Sequence, residues 1–163
     1  MIVVADTSVL LNLCRVGHEH LLPALFREVQ IPPAVHREFL QLSQTHPRFR
    51  GLALPEWVKT SPAVAVPREV ADCPNLDAGE TEALSLALQI QADALLIDEA
   101  AARLAAVRLR LPFIGIAGIL LRAKAQGLIA AVRPVLDRLR SEAAFWLAPA
   151  FQVQVLRLAG EAP

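Results

Sequence analysis

Four acids interrupt apolar patterns in this chain. Asp6 follows the apolar run Ile2-Val3-Val4-Ala5, and Asp98 follows Ala92 to Ile97. Glu38 lies between Val35, Phe39 and Leu42 on one helical face. Glu80 shares an arc with Ala83, Leu84, Ala87 and Leu88, whereas Glu82 falls on the opposite, solvated side with Ser85 and Gln89. An acid on a buried face is costly unless it is paired or binds a metal. Carboxylates gathered together repel, and some would hold protons near neutral pH. Divalent cations remove that penalty. Mg²⁺ and Mn²⁺ prefer oxygen ligands, and no Cys/His set points to zinc. Such ions on a carboxylate cluster activate water and stabilise charge on a phosphate, so the natural chemistry is phosphodiester hydrolysis. Plainer roles stand beside this one. Asp6 and Asp98 suit helix N-caps. Glu80 completes a capping box with Asp77. Glu38 could be a wet edge carboxylate beside Arg37 or His36.

The elements that must position these acids follow from the pattern. Ile2 to Ala5 reads as a strand buried on both faces, with a short helix from Thr7 to Leu13 after it. His18 to Glu28 reads as a second helix and Val29-Gln30-Ile31 as a brief strand. Pro32-Pro33 opens a third helix, Ala34 to Leu42. Two long loops, around Pro47, Gly51 and Pro55 and around Pro62, Pro67 and Pro74, flank an edge strand at Trp57–Thr60. Asp77 to Gln91 is the clearest helix. Ala92 to Ile97 is another buried strand, followed by a helix from Glu99 to Leu109. Pro112 to Gly115 is a last short strand, and a helix ends at Gly127. Val132–Glu142 and Pro149–Leu158 are amphipathic helices, with Leu136, Leu139, Phe145, Trp146, Leu147, Val153 and Leu156 as packing residues. Alternating strands and helices predict an α/β fold: a three-layer α/β/α sandwich around a mostly parallel sheet, with extra C-terminal helices. Asp6 and Asp98 then stand beyond the carboxyl ends of strands, where open α/β sheets bind ligands.

The 163 residues suit a single domain, with a core over 1–127 and a helical extension over 128–163. Lys+Arg and Asp+Glu are both 16, so no basic excess supports a general grip on nucleic acid. Arg48, Arg50, Lys59 and Arg68 are scattered loop cations, able to contact phosphates but more often simply solvated. Cys14 and Cys73 lack metal-ligand spacing, which predicts reduced thiols in a cytoplasmic protein. The apolar run Leu111–Leu121 is too short to span a bilayer. There is no Gly-x-Ser-x-Gly and no Gly-rich phosphate loop, and His18, His20, His36 and His46 read as surface or loop residues. A phospho-accepting receiver domain fits poorly, because its acids would cluster after the first strand and mid-chain.

The segments Val3-Val4-Ala5-Asp6-Thr7-Ser8-Val9-Leu10, Leu76-Asp77-Ala78-Gly79-Glu80-Thr81-Glu82-Ala83 and Leu95-Leu96-Ile97-Asp98-Glu99, with Glu38 between them, resemble the PIN-domain pattern. The likeness is to a prokaryotic, toxin-like branch. It runs from Ile2 to about Gly127 and less specifically to Glu161. The eighteen-residue step from Glu80 to Asp98 matches the family's spacing between its third and fourth acids. Two positions depart from the pattern: Glu80 stands where many members carry Asp, and Leu96 where many carry Thr or Ser. The resemblance implies a metal-dependent ribonuclease acting on RNA, commonly the toxin of a toxin–antitoxin pair. It implies Asp6, Glu38, Glu80 and Asp98 as catalytic ligands of Mg²⁺ or Mn²⁺, Glu99 as an auxiliary ligand, and Thr7 and Ser8 as hydrogen-bonding supports. It further implies an antitoxin partner, a homodimer and no membrane association. The alternative is a PIN-like module with little catalysis that binds RNA or a protein.

Overall fold

In the computed structural model, which describes residues 1–163, five parallel strands form one sheet. They are β1 (Ile2–Ala5), β2 (Glu28–Ile31), β3 (Lys59–Thr60), β4 (Ala94–Leu96) and β5 (Phe113–Ile114), in the order β3-β2-β1-β4-β5. Nine helices connect and follow them: α1 (Thr7–Arg15), α2 (Leu21–Leu25), α3 (Pro33–Thr45), α4 (Arg68–Ala71), α5 (Ala78–Gln89), α6 (Ala100–Arg108), α7 (Ile116–Ala125), α8 (Arg133–Ala143) and α9 (Pro149–Leu158).

Val3, Val4 and Ala5 are consecutive and wholly buried, and so are Leu95 and Leu96. Successive strand residues face opposite sides of a sheet, so helices must cover both faces. The expected α/β sandwich is therefore the observed one. One cluster of 45 buried apolar residues joins the strands to α1, α5 and α7 and extends to Val155 and Leu156 of α9.

The strand order turns back on itself between β1 and β4. β1 leads to β2 and β3 on one side, while β4 and β5 lie on the other. That switch point is where an open parallel sheet forms a crevice at its carboxyl edge. Ala5 is in register with Leu96, and the Asp6 amide donates to the Leu96 carbonyl at 3.0 Å. Residues just after the two strands therefore meet at one edge.

Some elements differ from the sequence pattern. The second helix is only Leu21–Leu25, and β2 already starts at Glu28. The sheet claims those residues: the Arg27 amide donates to the Met1 carbonyl at 2.9 Å, and Glu28 pairs in register with Ile2. The second long loop contains the single turn α4. Trp146 is 65% exposed and Val153 is 37% exposed, so neither is a core residue. α8 ends at Ala144 in the left-handed region (φ 52), and the next stretch leaves the indole outside the core. Leu136, Leu139, Leu147 and Leu156 are buried, and Phe145 packs against the core's edge.

The last residues are tied down by Glu161. Its carboxylate accepts from the amides of Val132 (2.8 Å) and Arg133 (3.0 Å) and from the Lys124 ammonium (3.0 Å). These are free amides at the start of α8, which has no side-chain cap of its own. Burial would raise the Glu161 pKa, but the two amides and Lys124 outweigh it and hold the group below its ordinary value. No helix is long and apolar enough to cross a membrane.

Candidate functional site

A cleft of about 380 Å³ opens at the switch point, lined by Asp6, Thr7, Ser8 and Asn12 of the first strand–helix junction, Glu38 of α3, Asp77 and Glu80 of α5, and Glu99. Leu11, Leu42, Phe49 and Asn75 complete its wall. Five carboxylates face it, and no Lys, Arg or His is among its lining residues.

Asp6 lies at the floor and is 4% exposed. It stands at the N-cap of α1 with extended backbone, yet its side chain caps no amide of the helix. A Ser8 hydroxyl at 3.4 Å is its one side-chain donor. Burial, opposed by the Thr7 amide and reinforced by Glu80, Asp77 and Glu38, pushes its carboxyl up to about 7. Near neutral pH this group sits between its two protonation states, a condition a nearby divalent cation would relieve.

Glu80 is 6% exposed and does act in a capping box. Its amide donates to Asp77 Oδ1 at 2.8 Å, and its Oε2 accepts from the Asp77 amide at 3.0 Å. The same carboxylate faces the cleft, so the cap and the site share one residue. Burial raises its pKa; the Asp77 amide opposes this, and the charges of Asp77, Glu99 and Glu38 add to it.

Glu38 is half-buried and bonded on both oxygens. The Thr7 hydroxyl donates to Oε2 at 2.6 Å, and the Gly79 amide donates to Oε1 at 2.9 Å. It is therefore neither wet nor paired with Arg37 or His36. Gly79 is in the first turn of α5, so Glu38 satisfies a free helix amide and sits in the favourable field of the N-terminus. A Cβ at Gly79 would lie 2.4 Å from Glu38 Oε2, which explains why a residue without a side chain stands there.

Glu82 is not solvated. Its Oε2 accepts from the Ala34 amide at 2.8 Å and its Oε1 lies 4.0 Å from Arg37. It caps α3, whose own N-cap, Pro32, has no side-chain oxygen. Glu82→Ala is expected to lower stability by about 1 kcal/mol, as for other lost caps, with a matching fall in the urea midpoint. An unchanged midpoint would remove the capping role.

Asp98 is placed differently from the other three expected acids. It does not line the cleft. Its Oδ1 pairs with Arg103 Nη2 at 2.7 Å, and its Oδ2 accepts from the Ile116 amide at 3.1 Å, at the start of α7. Burial raises its pKa, against the Ile116 amide and Arg103. Its neighbour Glu99, exposed, is the acid of that junction that reaches the cleft. Cys14 and Cys73 are both free and buried, and burial pushes the Cys14 thiol up to about 12, so it is unreactive.

Six lining residues, Leu11, Asn12, Leu42, Phe49, Asn75 and Asp77, are not among those the sequence pattern marks as site residues. Asn12 is four positions after Ser8, on the same face of α1, and that spacing was a readable signal. Asp77 was visible only as a cap. Phe49 comes from a loop, where no periodicity locates a residue.

The donors are oxygen only, which suits Mg²⁺ or Mn²⁺ rather than zinc. Buried, unneutralised charge at Asp6 and Glu80 fits a hard cation. As the side chains stand, no three acidic, histidine or cysteine groups close on one point, so full coordination requires rotation of at least one carboxylate.

A parallel α/β sandwich with an acidic cleft at its switch point belongs to the open-sheet proteins that bind ligands at the carboxyl edge of their strands. A family model described as DUF3368, PIN domain, matches residues 2–161, and the chain belongs to that family. PIN domains are in general nucleases that typically use divalent metal ions. No curated protein and no solved structure matches the chain.

Proposed function

We propose that the chain is a Mg²⁺- or Mn²⁺-dependent endoribonuclease, the toxin of a toxin–antitoxin pair. The observation that carries this reading is the cleft lined by five carboxylates and no Lys, Arg or His, with Asp6 buried at its floor. Asp6, Glu80 and Glu38 would hold the ion, with Glu99 at the rim. When bound, it would supply Lewis-acid charge to a phosphate oxygen and lower the pKa of a water. Thr7 and the Gly79 amide keep Glu38 oriented, and Ser8 holds Asp6. Glu99, exposed at the mouth, is suited to steering a proton. Asp98 would join the ligand set only on leaving its present partners. The whole chain, 1–163, would act as one domain in the cytoplasm, with 128–163 as a buttress. RNA, an antitoxin protein and a second copy of the chain would be its partners.

A second reading, a PIN module with weak catalysis, is favoured by one observation: Asp98 is already saturated by protein donors. Incubation with single-stranded and structured RNAs in Mn²⁺ separates the two. Cleavage that falls at least a hundredfold in Glu80→Gln, as expected for loss of a metal-site carboxylate, supports the nuclease. No cleavage by the wild type of any RNA tested favours the module, and equal cleavage by the variant removes Glu80 from the site.

A further inference from the structure

Among the acids expected at the site, Asp98 alone has an internal cation. Three elements build the pair. Arg103 comes from α6 and lies with Cζ 6.0 Å from the ring centroid of Phe113 in β5. Gly115, just beyond β5, leaves the space they occupy: a Cβ there would stand 2.5 Å from Asp98 Oδ1 and 2.8 Å from Arg103 Nη2. Arg103 Nε is buried with no hydrogen-bond partner, so the guanidinium is held at some cost and not fully satisfied. The Asp98 side chain is 10% exposed and that of Arg103 is 35% exposed. Glu99, the next residue, already lines the cleft, so Asp98 stands at the same edge of the sheet.

We propose that Arg103 is a positioning residue that holds Asp98 out of the acidic cleft and competes with a divalent cation for it. The inference rests on the metal reading above and adds a second state to it. In one state Asp98 is paired with Arg103 and the cleft holds the other acids alone. In the other, a dication in the cleft draws Asp98 away and Arg103 turns to solvent. The exchange is open because Arg103, 35% exposed, can be solvated once released, whereas a dication attracts each carboxylate twice as strongly as a single charge.

Calorimetric titration of the purified, metal-free chain with Mn²⁺ tests this without reference to activity. Arg103→Met keeps the packing and removes the cation. It is expected to tighten Mn²⁺ binding roughly tenfold or more, the scale of changes beside metal ligands. Asp98→Asn alone should weaken binding, and in the Asp98→Asn background Arg103→Met should no longer tighten it. Gly115→Ala intrudes on both atoms of the pair and should act like Arg103→Met, which keeps the test open if the latter does not fold. Wild-type affinity in Arg103→Met, or in Gly115→Ala where Arg103→Met does not fold, overturns the proposal alone, and so does tightening by Arg103→Met that persists in the Asp98→Asn background. Absence of Mn²⁺ binding from the wild type and from every variant overturns the metal reading and this proposal together.

Discussion

Asp6→Asn is expected to stabilise the metal-free protein above neutral pH and at the same time to abolish its response to Mn²⁺. The folded state holds the Asp6 proton up to about pH 7, whereas the unfolded chain releases it near 3.8. Between those values the folded state binds more protons, so stability falls as pH rises. The contribution is fully present below pH 3.8 and is lost as pH climbs through about 7. The gap corresponds to an upper limit of roughly 4 kcal/mol. Asparagine keeps the shape and has no charge to desolvate, so it removes that slope. Urea unfolding in a chelator at pH 5 and pH 8 should show the wild type losing stability between the two and the variant losing much less. Mn²⁺ should then raise the wild-type midpoint by mass action and leave the variant's unmoved. Parallel pH slopes would show that Asp6 is not the group that titrates.

Gly79→Ala should destabilise the protein, although alanine is the better helix former. Alanine gains about 1 kcal/mol in a helix interior. Against this, its Cβ would stand 2.4 Å from Glu38 Oε2 and 2.8 Å from Oε1. Glu38 must withdraw and lose the Gly79 amide and the Thr7 hydroxyl, charged hydrogen bonds worth about 1.5–3 kcal/mol each. The losses exceed the gain, so a net cost of about 2–5 kcal/mol is expected. On the proposed ribonuclease function, RNA cleavage should fall with it, because the carboxylate leaves its place in the cleft. The sign should reverse in a Glu38→Ala background, where nothing remains to clash. Gly79→Ala there should stabilise by up to about 1 kcal/mol. A cost that persists without Glu38 would mean that Gly79 is needed for some other reason.

The second effect depends on a helix N-terminus, and the chain uses these repeatedly. Glu38 bonds α5, Glu82 bonds α3, Glu161 bonds α8 and Asp98 bonds α7. Each carboxylate is remote in sequence from the helix it serves. Asp77, which caps its own helix, is the one found by spacing alone.

That contrast marks what the residues disclose in isolation. Apolar runs ending in Asp6 and Asp98, and an apolar arc around Glu80, are local patterns, and local geometry turns them into buried strands and a half-buried helix. The parallel sandwich and the cleft position of Asp6 and Glu80 follow from periodicity and chain direction. The fates of Glu38, Glu82 and Asp98 do not, because each is settled by which amide or cation packing brings alongside. The helical wheel of α5 puts Glu82 outside, yet α3 begins there and its uncapped amide claims the carboxylate. A strand end puts Asp98 at the ligand edge, yet Arg103 and the first amide of α7 hold both its oxygens. Hydrogen-bond partners far apart in the chain are chosen by three-dimensional adjacency, and a linear pattern carries no term for it.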